Sequence, residues 1–397
     1  MNFTSPEYAD HFAALLRPLP DDQATPHRDY QRSAIDAVLP KLRKNGNPQL
    51  IHVATGGGKT RIANEVVVTL LKRRGGQVVW LAKDWELSRQ AAVDLSRRHG
   101  PALHLTRLGG DGSQLHPLPE GLHGDVIYST LTTFFTRVKG CRLNRFYDPT
   151  LVVWDECHWG ELANSGQRLQ KWCLDREVPL LGLTATPRAQ EVSGFQVAFS
   201  MSFQQLVAAG YLAVPVQIDP VPTGVAWYPS MDYKFGDFTG PSLETLGRSI
   251  NRNRSIIEHF RRRKRTYSQS LVFACNIRHA DLLARKFNEA GVRARSLHSQ
   301  WYSHDNAETL RLFREGELQV LVNVAKLTHG VDLPSIRTVF LCRPTLSDML
   351  FSQMVGRGAR LDPATGKSAF HLVEFTDNLE RFGDQLVTAK TFFSGTG

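Results

Sequence analysis

Cysteine is scarce in this chain: five in 397 residues, at positions 141, 157, 173, 275 and 342, with no two spaced Cys-x-x-Cys. That rules out a disulfide framework and leaves a zinc ribbon without a ligand set. No apolar run reaches the ~18 residues that a membrane span requires. Residues 1–12 carry neither a basic stretch nor an apolar core, so no secretory signal is read there. These absences predict a reduced, cytoplasmic protein with no membrane association. There is no residue-level internal repeat. What is present is an ordinary globular composition, 42% hydrophobic and 22% charged, with a formal net charge of +10. The basic excess, a pI near 9.5, favours polyanionic partners, nucleic acid or an acidic membrane surface. At about 150 residues per domain the length suggests two domains.

Short apolar, β-branched runs alternate with longer amphipathic stretches. Strands are predicted at 50–53, 77–81, 125–128, 151–154 and 180–183, with helices such as 61–73 and 85–98 between them. Continuous apolar strands separated by helices predict a parallel sheet covered on both faces. The rhythm restarts with strands at 270–274, 319–322 and 338–341 and a helix at 278–290. Residues 219–247, which include Pro220, Pro222, Pro229 and Pro241, read as loop. The run Arg261-Arg262-Arg263-Lys264-Arg265 is either a solvated helix end or a phosphate-contacting patch.

Two motifs carry chemistry. Ala54-Thr55-Gly56-Gly57-Gly58-Lys59-Thr60 follows a strand and opens a helix, the context of a phosphate-binding loop. Its glycines let backbone N–H groups turn toward phosphate, Lys59 neutralises it, and the Thr60 hydroxyl suits Mg²⁺. A strict version of the motif has glycine where this chain has Val53. Further on, the apolar run 151–154 leads directly into Asp155-Glu156. At a strand's C-terminal end Asp155 can hold Mg²⁺ through water while Glu156 acts as a general base. Together the two motifs predict a nucleoside-triphosphate site.

With these residues in view, the sequence resembles superfamily 2 helicases and translocases carrying an Asp-Glu-Cys-His motif II, over about residues 28–360. Arg28 and Gln31 match the upstream Arg-x-x-Gln element, whose glutamine reads adenine, so ATP is the implied nucleotide. Ser129 and Thr130 resemble motif Ib and Lys83 lies at motif Ia, both nucleic-acid contacts. Thr184 and Thr186, in Thr-Ala-Thr-Pro, match motif III, and His158 follows motif II; the resemblance gives all three a coupling role. Residues 323–334 resemble motif V, with Gly330 and Asp332 at the nucleotide and Asn323 at nucleic acid. Gln353, Arg357 and Arg360 match motif VI, the two arginines lying three apart on one helical face. Such arginines are worth roughly 10³–10⁵ in rate in comparable phosphoryl-transfer enzymes. Trp154, Trp159, Trp172 and Cys157 read as packed core.

The resemblance implies an α/β fold of two tandem RecA-like domains, each a parallel sheet flanked by helices, with the ATP site in the cleft between them. An N-terminal extension (1–25) is expected to precede domain 1 (26–200) and domain 2 (201–397). The implied function is an ATP- and Mg²⁺-dependent DNA helicase or translocase. The alternatives are a nucleotide-gated clamp or scaffold that does not unwind, and an RNA helicase. Asp-Glu-Cys-His with Thr-Ala-Thr-Pro resembles restriction motors and repair helicases, which favours DNA over RNA and is compatible with a larger complex supplying specificity.

Overall fold

Strands made of Val, Leu and Ile with no polar alternation need cover on both faces, and here they receive it. The computed structural model describes residues 26–99, 103, 105–107, 125–139, 149–157, 163–185, 193–217, 221–223, 232–234, 237–298, 303–324, 333–375 and 387–394. The chain divides into two compact units. One runs to Ser202 without Thr55–Gly57; the other comprises Phe203 onward together with Thr55–Gly57. Both are RecA-like α/β units.

The first unit contains β1 (Gln49–Val53), β2 (Val78–Ala82), β3 (Leu105–Arg107), β4 (Val126–Thr130), β5 (Leu151–Trp154), β6 (Leu180–Thr184) and β7 (Gln196–Met201). Its helices are α1 (Asp29–Val38), α2 (Lys59–Arg74), α3 (Trp85–His99), α4 (Leu131–Lys139) and α5 (Ala163–Asp175). The sheet order is β3-β4-β2-β5-β6-β1-β7, and every pairing is parallel. β2, β5 and β6 are buried along their whole length, whereas no residue of the edge strand β7 is fully buried. Helix ends follow local chemistry. The Asp84 carboxylate accepts the Leu87 N–H (3.0 Å) and starts α3. α2 closes on Lys72-Arg73-Arg74 before Gly75 at φ +64°. Trp154 and Cys157 join a core with Leu50, Val79, Ile127 and Phe134. A Cβ at Gly166 would lie 2.5 Å from the Trp154 ring, so α5 seats directly on that indole. Trp172 stands edge-on to Phe134 at 5.2 Å; Trp159 lies outside the described residues.

The second unit contains α6 (Phe203–Ala208), β8 (Val214–Gln217), the antiparallel pair β9 (Tyr233–Lys234) and β10 (Asp237–Phe238), α7 (Gly240–Arg248), α8 (Ile250–Arg262) and the short α9 (Lys264–Tyr267). There follow β11 (Ser270–Phe273), α10 (Ile277–Glu289), β12 (Ala294–Leu297), α11 (Ser303–Arg314), β13 (Val320–Asn323), β14 (Thr338–Leu341), α12 (Asp348–Gly356), β15 (Ala369–Glu374) and α13 (Ala389–Ser394). The parallel sheet has the order β12-β13-β11-β14-β15-β8. Its core joins Ile256, Phe260 and Phe287 to Val272, Val322 and Phe340.

The expectation of loop throughout 219–247 is corrected. Residues 240–248 form α7, with Pro241 in its first turn and Leu243 and Leu246 buried. Proline suits a helix start because its missing N–H would have no intrahelical partner there. Asp237 ties the β9–β10 hairpin down: it pairs with Arg343 at 2.7 Å and accepts from Thr345 Oγ1 and the Leu346 N–H, each at 3.0 Å.

α13 docks through a carboxylate. The Ala389 N–H donates to both Glu374 oxygens (2.9 and 3.0 Å), while Phe392 packs on Phe351 and Phe203 with ring centroids 5.1 and 6.1 Å apart. Burial pushes the Glu374 carboxyl up to about 7, although the Ala389 amide opposes this. A carboxyl raised in the folded state stabilises fully below its unfolded pKa, and that stability is lost as pH rises through about 7. Glu374→Gln is therefore expected to flatten the fall in melting temperature between pH 5 and pH 8. Identical slopes for the two proteins in thermal unfolding would contradict this account.

Candidate active site

In open α/β sheets, ligand-binding groups gather at the C-terminal ends of the strands. The first unit places its chemistry there. β1 runs into the glycine loop, β5 into Asp155, β6 into Thr184-Ala185, β4 ends at Thr130, and Lys83 follows β2. Gly56 and Gly58 adopt φ +88° and +82°, the left-handed region that only glycine enters freely. Such turns point successive N–H groups to one side, a ready anion cradle at a helix start. Gly58 has a second constraint: a Cβ there would lie 2.7 Å from Gln31 Nε2. Gln31 is buried, and its Oε1 accepts the Arg28 N–H at 3.0 Å. Gln31 thus packs directly against the glycine loop. The Thr55 hydroxyl oxygen is buried with no hydrogen-bond partner among the described residues.

The carboxylate pair owes its geometry to a backbone kink. The Asp155 N–H donates to Leu81 O (2.8 Å) and the Cys157 N–H to Leu183 O (3.0 Å), so the segment bridges the ends of β2 and β6. Between these bonds Glu156 takes φ +53°, rare for a side-chain-bearing residue. Its Oε1 lies 3.3 Å from Lys59 Nζ, reaching past β6, which separates β5 from β1. Backbone strain of this kind, of order 1–3 kcal/mol, persists where the surroundings over-determine it. Asp155 and Glu156 are only 4% and 8% exposed, Lys59 9%. Burial, then the Glu156 charge, holds the Asp155 carboxyl well above the ordinary range; Lys59 only partly offsets them. Lys59 thus faces two buried carboxylates. That imbalance suits a divalent ion arriving with a polyphosphate, and the donor set of Thr60 and Asp155 fits Mg²⁺. No group of three or more His, Cys, Asp or Glu among the described residues could hold a metal.

His52, read only as part of an apolar run, supports this site. On β1, just before the loop, its Nδ1 meets Ser200 Oγ at 2.8 Å and its Nε2 meets Ala185 O at 3.1 Å. A carbonyl can only accept, so Nε2 carries the proton and Nδ1 accepts from the serine. Burial lowers its pKa, and the Lys59 charge acts in the same direction. The available signal was a lone imidazole inside a buried strand.

Residues 25–189 match the family described as "Type III restriction enzyme, res subunit", and residues 251–362 match "Helicase conserved C-terminal domain". The chain belongs to the superfamily 2 helicases, in the branch of restriction motors and repair helicases. A Saccharomyces cerevisiae relative named as an ATP-dependent helicase, IRC3, is 24% identical over 371 residues, covering 88% of this chain and 51% of the relative. The chain thus spans about half the length of that relative. Two solved structures share its fold. The restriction-modification enzyme LlaBIII, bound to DNA, gives a TM-score of 0.64 at 19% identity over 90% of this chain and 28% of its own. S. cerevisiae Dbp5, bound to RNA and ADP BeF3, gives 0.60 at 16% over 94% and 88%. Use of ATP follows from the family. No helix among the described residues is long and apolar enough to cross a membrane.

The helicase-motif residues differ in their placement, and one expectation about them needs correction. Ser129 is fully buried, its hydroxyl donating to Thr130 O at 3.1 Å. Asn323 is likewise fully buried at the end of β13. Both sit at the ends of parallel strands. Thr130 is half-buried and caps α4, accepting the Thr133 N–H at 3.2 Å. Lys83 is exposed. Arg357 and Arg360 do not share a helical face. α12 ends at Gly356, Arg357 is its C-cap, and the chain turns so that Ala359 O accepts the Ala213 N–H (2.7 Å) beside β8. Arg357 and Gln353 are buried, and Gln353 Nε2 has no hydrogen-bond partner among the described residues. His158, Thr186, Gly330 and Asp332 lie outside the described residues.

Proposed function

We propose that this chain is an ATP-driven motor that moves on or remodels DNA. The observation carrying this reading is the Lys59–Glu156 pair at 3.3 Å beside buried Asp155, directly under a glycine-rich cradle. A site that only bound nucleotide would have no use for a second carboxylate held next to the phosphate lysine. In this reading Gln31 and Arg28 select adenine, and Thr55, Gly56, Gly57, Gly58, Lys59 and Thr60 wrap the phosphates. Thr60 and Asp155 hold Mg²⁺, whose role is to neutralise phosphate charge and orient the triphosphate. Glu156 takes a proton from the attacking water. Gln353, Arg357 and Arg360, with Gly330 and Asp332, serve the same chemistry from the second unit, the arginines by neutralising transition-state charge. His158, Thr184 and Thr186 couple hydrolysis to movement, and Lys83 and Thr130 contact nucleic acid.

DNA is favoured because the matched restriction family and LlaBIII, bound to DNA, lie on that side. Dbp5 bound to RNA keeps RNA in the test. The expected result is ATP hydrolysis stimulated by DNA more than by matched RNA, across single-stranded, duplex and branched forms. Turnover indifferent to every nucleic acid would refute the reading; stronger stimulation by RNA would move the substrate, not the mechanism.

A further inference from the structure

The run Arg261–Arg265 lies at the pole of the second unit opposite its motif-bearing strand ends. In a parallel α/β unit the strands begin where the helices finish, and the run spans the end of α8 and the start of α9, just before β11. Hydrogen bonds lace it to the starts of neighbouring strands. Lys264 Nζ donates to Gly291 O (2.8 Å), ahead of β12, and Gln319 Nε2, ahead of β13, donates to Lys264 O (3.2 Å). Arg293 and Arg337 immediately precede β12 and β14. Arg261, Arg262, Arg263, Arg265 and Arg293 are exposed.

A helix C-terminus attracts cations, yet its dipole amounts to only about half a negative charge. Five consecutive cations exceed that several-fold. Glu258, 3.9 Å from Arg262, offsets one charge of the run, while Glu289 faces Arg285 at 3.8 Å and Glu315 pairs with Arg311. Glu317 also lies at this pole, too little to cancel the excess. The positive field reaches inward. After burial, the charges of Arg263 and Arg262 lower the pKa of His259, and Arg263 does the same to His371.

We propose that this basic pole is a second nucleic-acid-binding surface, contacting phosphates without reading sequence and separate from the strand ends that carry the helicase motifs. It rests on the reading of the chain as a nucleic-acid motor. Its physical value would be retention: a polyanion held here stays tethered while the other contacts release.

The test uses the full chain and fluorescent oligonucleotides, with binding followed from about 50 to 300 mM salt. Arg261→Glu/Arg265→Glu/Arg293→Glu is expected to weaken binding at least about tenfold and to reduce the magnitude of the log–log salt slope by roughly 2–3. ATP turnover without nucleic acid should not change. The corresponding triple Gln variant adds no repulsion and should still lower the slope, while the triple Lys variant should behave as the parent does. Parent-like affinity and slope in both the Glu and Gln variants would overturn the basic pole alone. Loss of poly-glutamate binding with oligonucleotide binding intact would also overturn it, in favour of an acidic protein partner. A parent chain that neither binds nor responds to nucleic acid would overturn both this inference and the motor reading.

Discussion

Lys59→Ala should abolish measurable ATP turnover, with a loss of at least about 10²–10³, the scale seen when one positioned electrostatic donor is removed. The substitution deletes the cation that lies 3.3 Å from Glu156. It also leaves Asp155 and Glu156 as neighbouring buried carboxylates without the Lys59 charge that partly offsets their repulsion. Removing one partner of a buried pair costs about 3–5 kcal/mol, and the protein can recover part of that by taking up a proton. Asp155 already titrates high because of burial and Glu156. Losing Lys59 raises it further, so the variant should be progressively less stable as pH increases. Near-normal turnover, or a stability deficit that shrinks with rising pH, would contradict this.

The second large effect is on chemistry alone. Glu156→Gln keeps the shape and a hydrogen-bonding oxygen near Lys59 but removes both the base and one of two repelling charges. Turnover should fall by about 10²–10⁴, the usual worth of a positioned general base. Nucleotide binding should persist, and Mg²⁺-dependent binding should extend to lower pH. The reason is that the Glu156 charge helps hold the Asp155 proton on; without it Asp155 ionises more readily. Single-turnover and equilibrium-binding measurements separate the two effects. Lost affinity with an intact chemical step would exclude Glu156 as the base.

The Lys59–Glu156 contact is one that no residue spacing reveals. Glu156 meets Lys59 because its backbone adopts φ +53°, and that kink follows from two hydrogen bonds to different strands. Sequence alone supplied the residue types and their place at strand ends. The interior strands were legible because Val152, Val322 and Val339 lie in unbroken apolar runs. β7 was not, since an edge strand with one side in water keeps polar residues such as Gln196 and Ser200. β15 was missed as well, because His371 and Glu374 interrupt its apolar run. α7 was obscured by Gly240-Pro241, which resembles a turn but is also a sound helix opening. The burial of Ser129 and Asn323 was not legible because a motif shows which residues are present, not how they are covered. His52 and Glu374 drew no notice, since a single polar residue in an apolar segment carries no pattern.

The two all-parallel sheets also dictate the order in which the molecule can be built on the ribosome. Every pairing joins residues far apart along the chain, so each costs loop-closure entropy before it gives any stability, the signature of slow folders. The first sheet has its last strand once Met201 emerges. In the second, Val214 must wait for Ala369 before β8 has a neighbour. Synthesis therefore favours an early, self-sufficient N-terminal lobe and a C-terminal lobe that stays exposed until late. Refolding from denaturant, with both lobes starting together, should accordingly be more prone to aggregation than folding during translation.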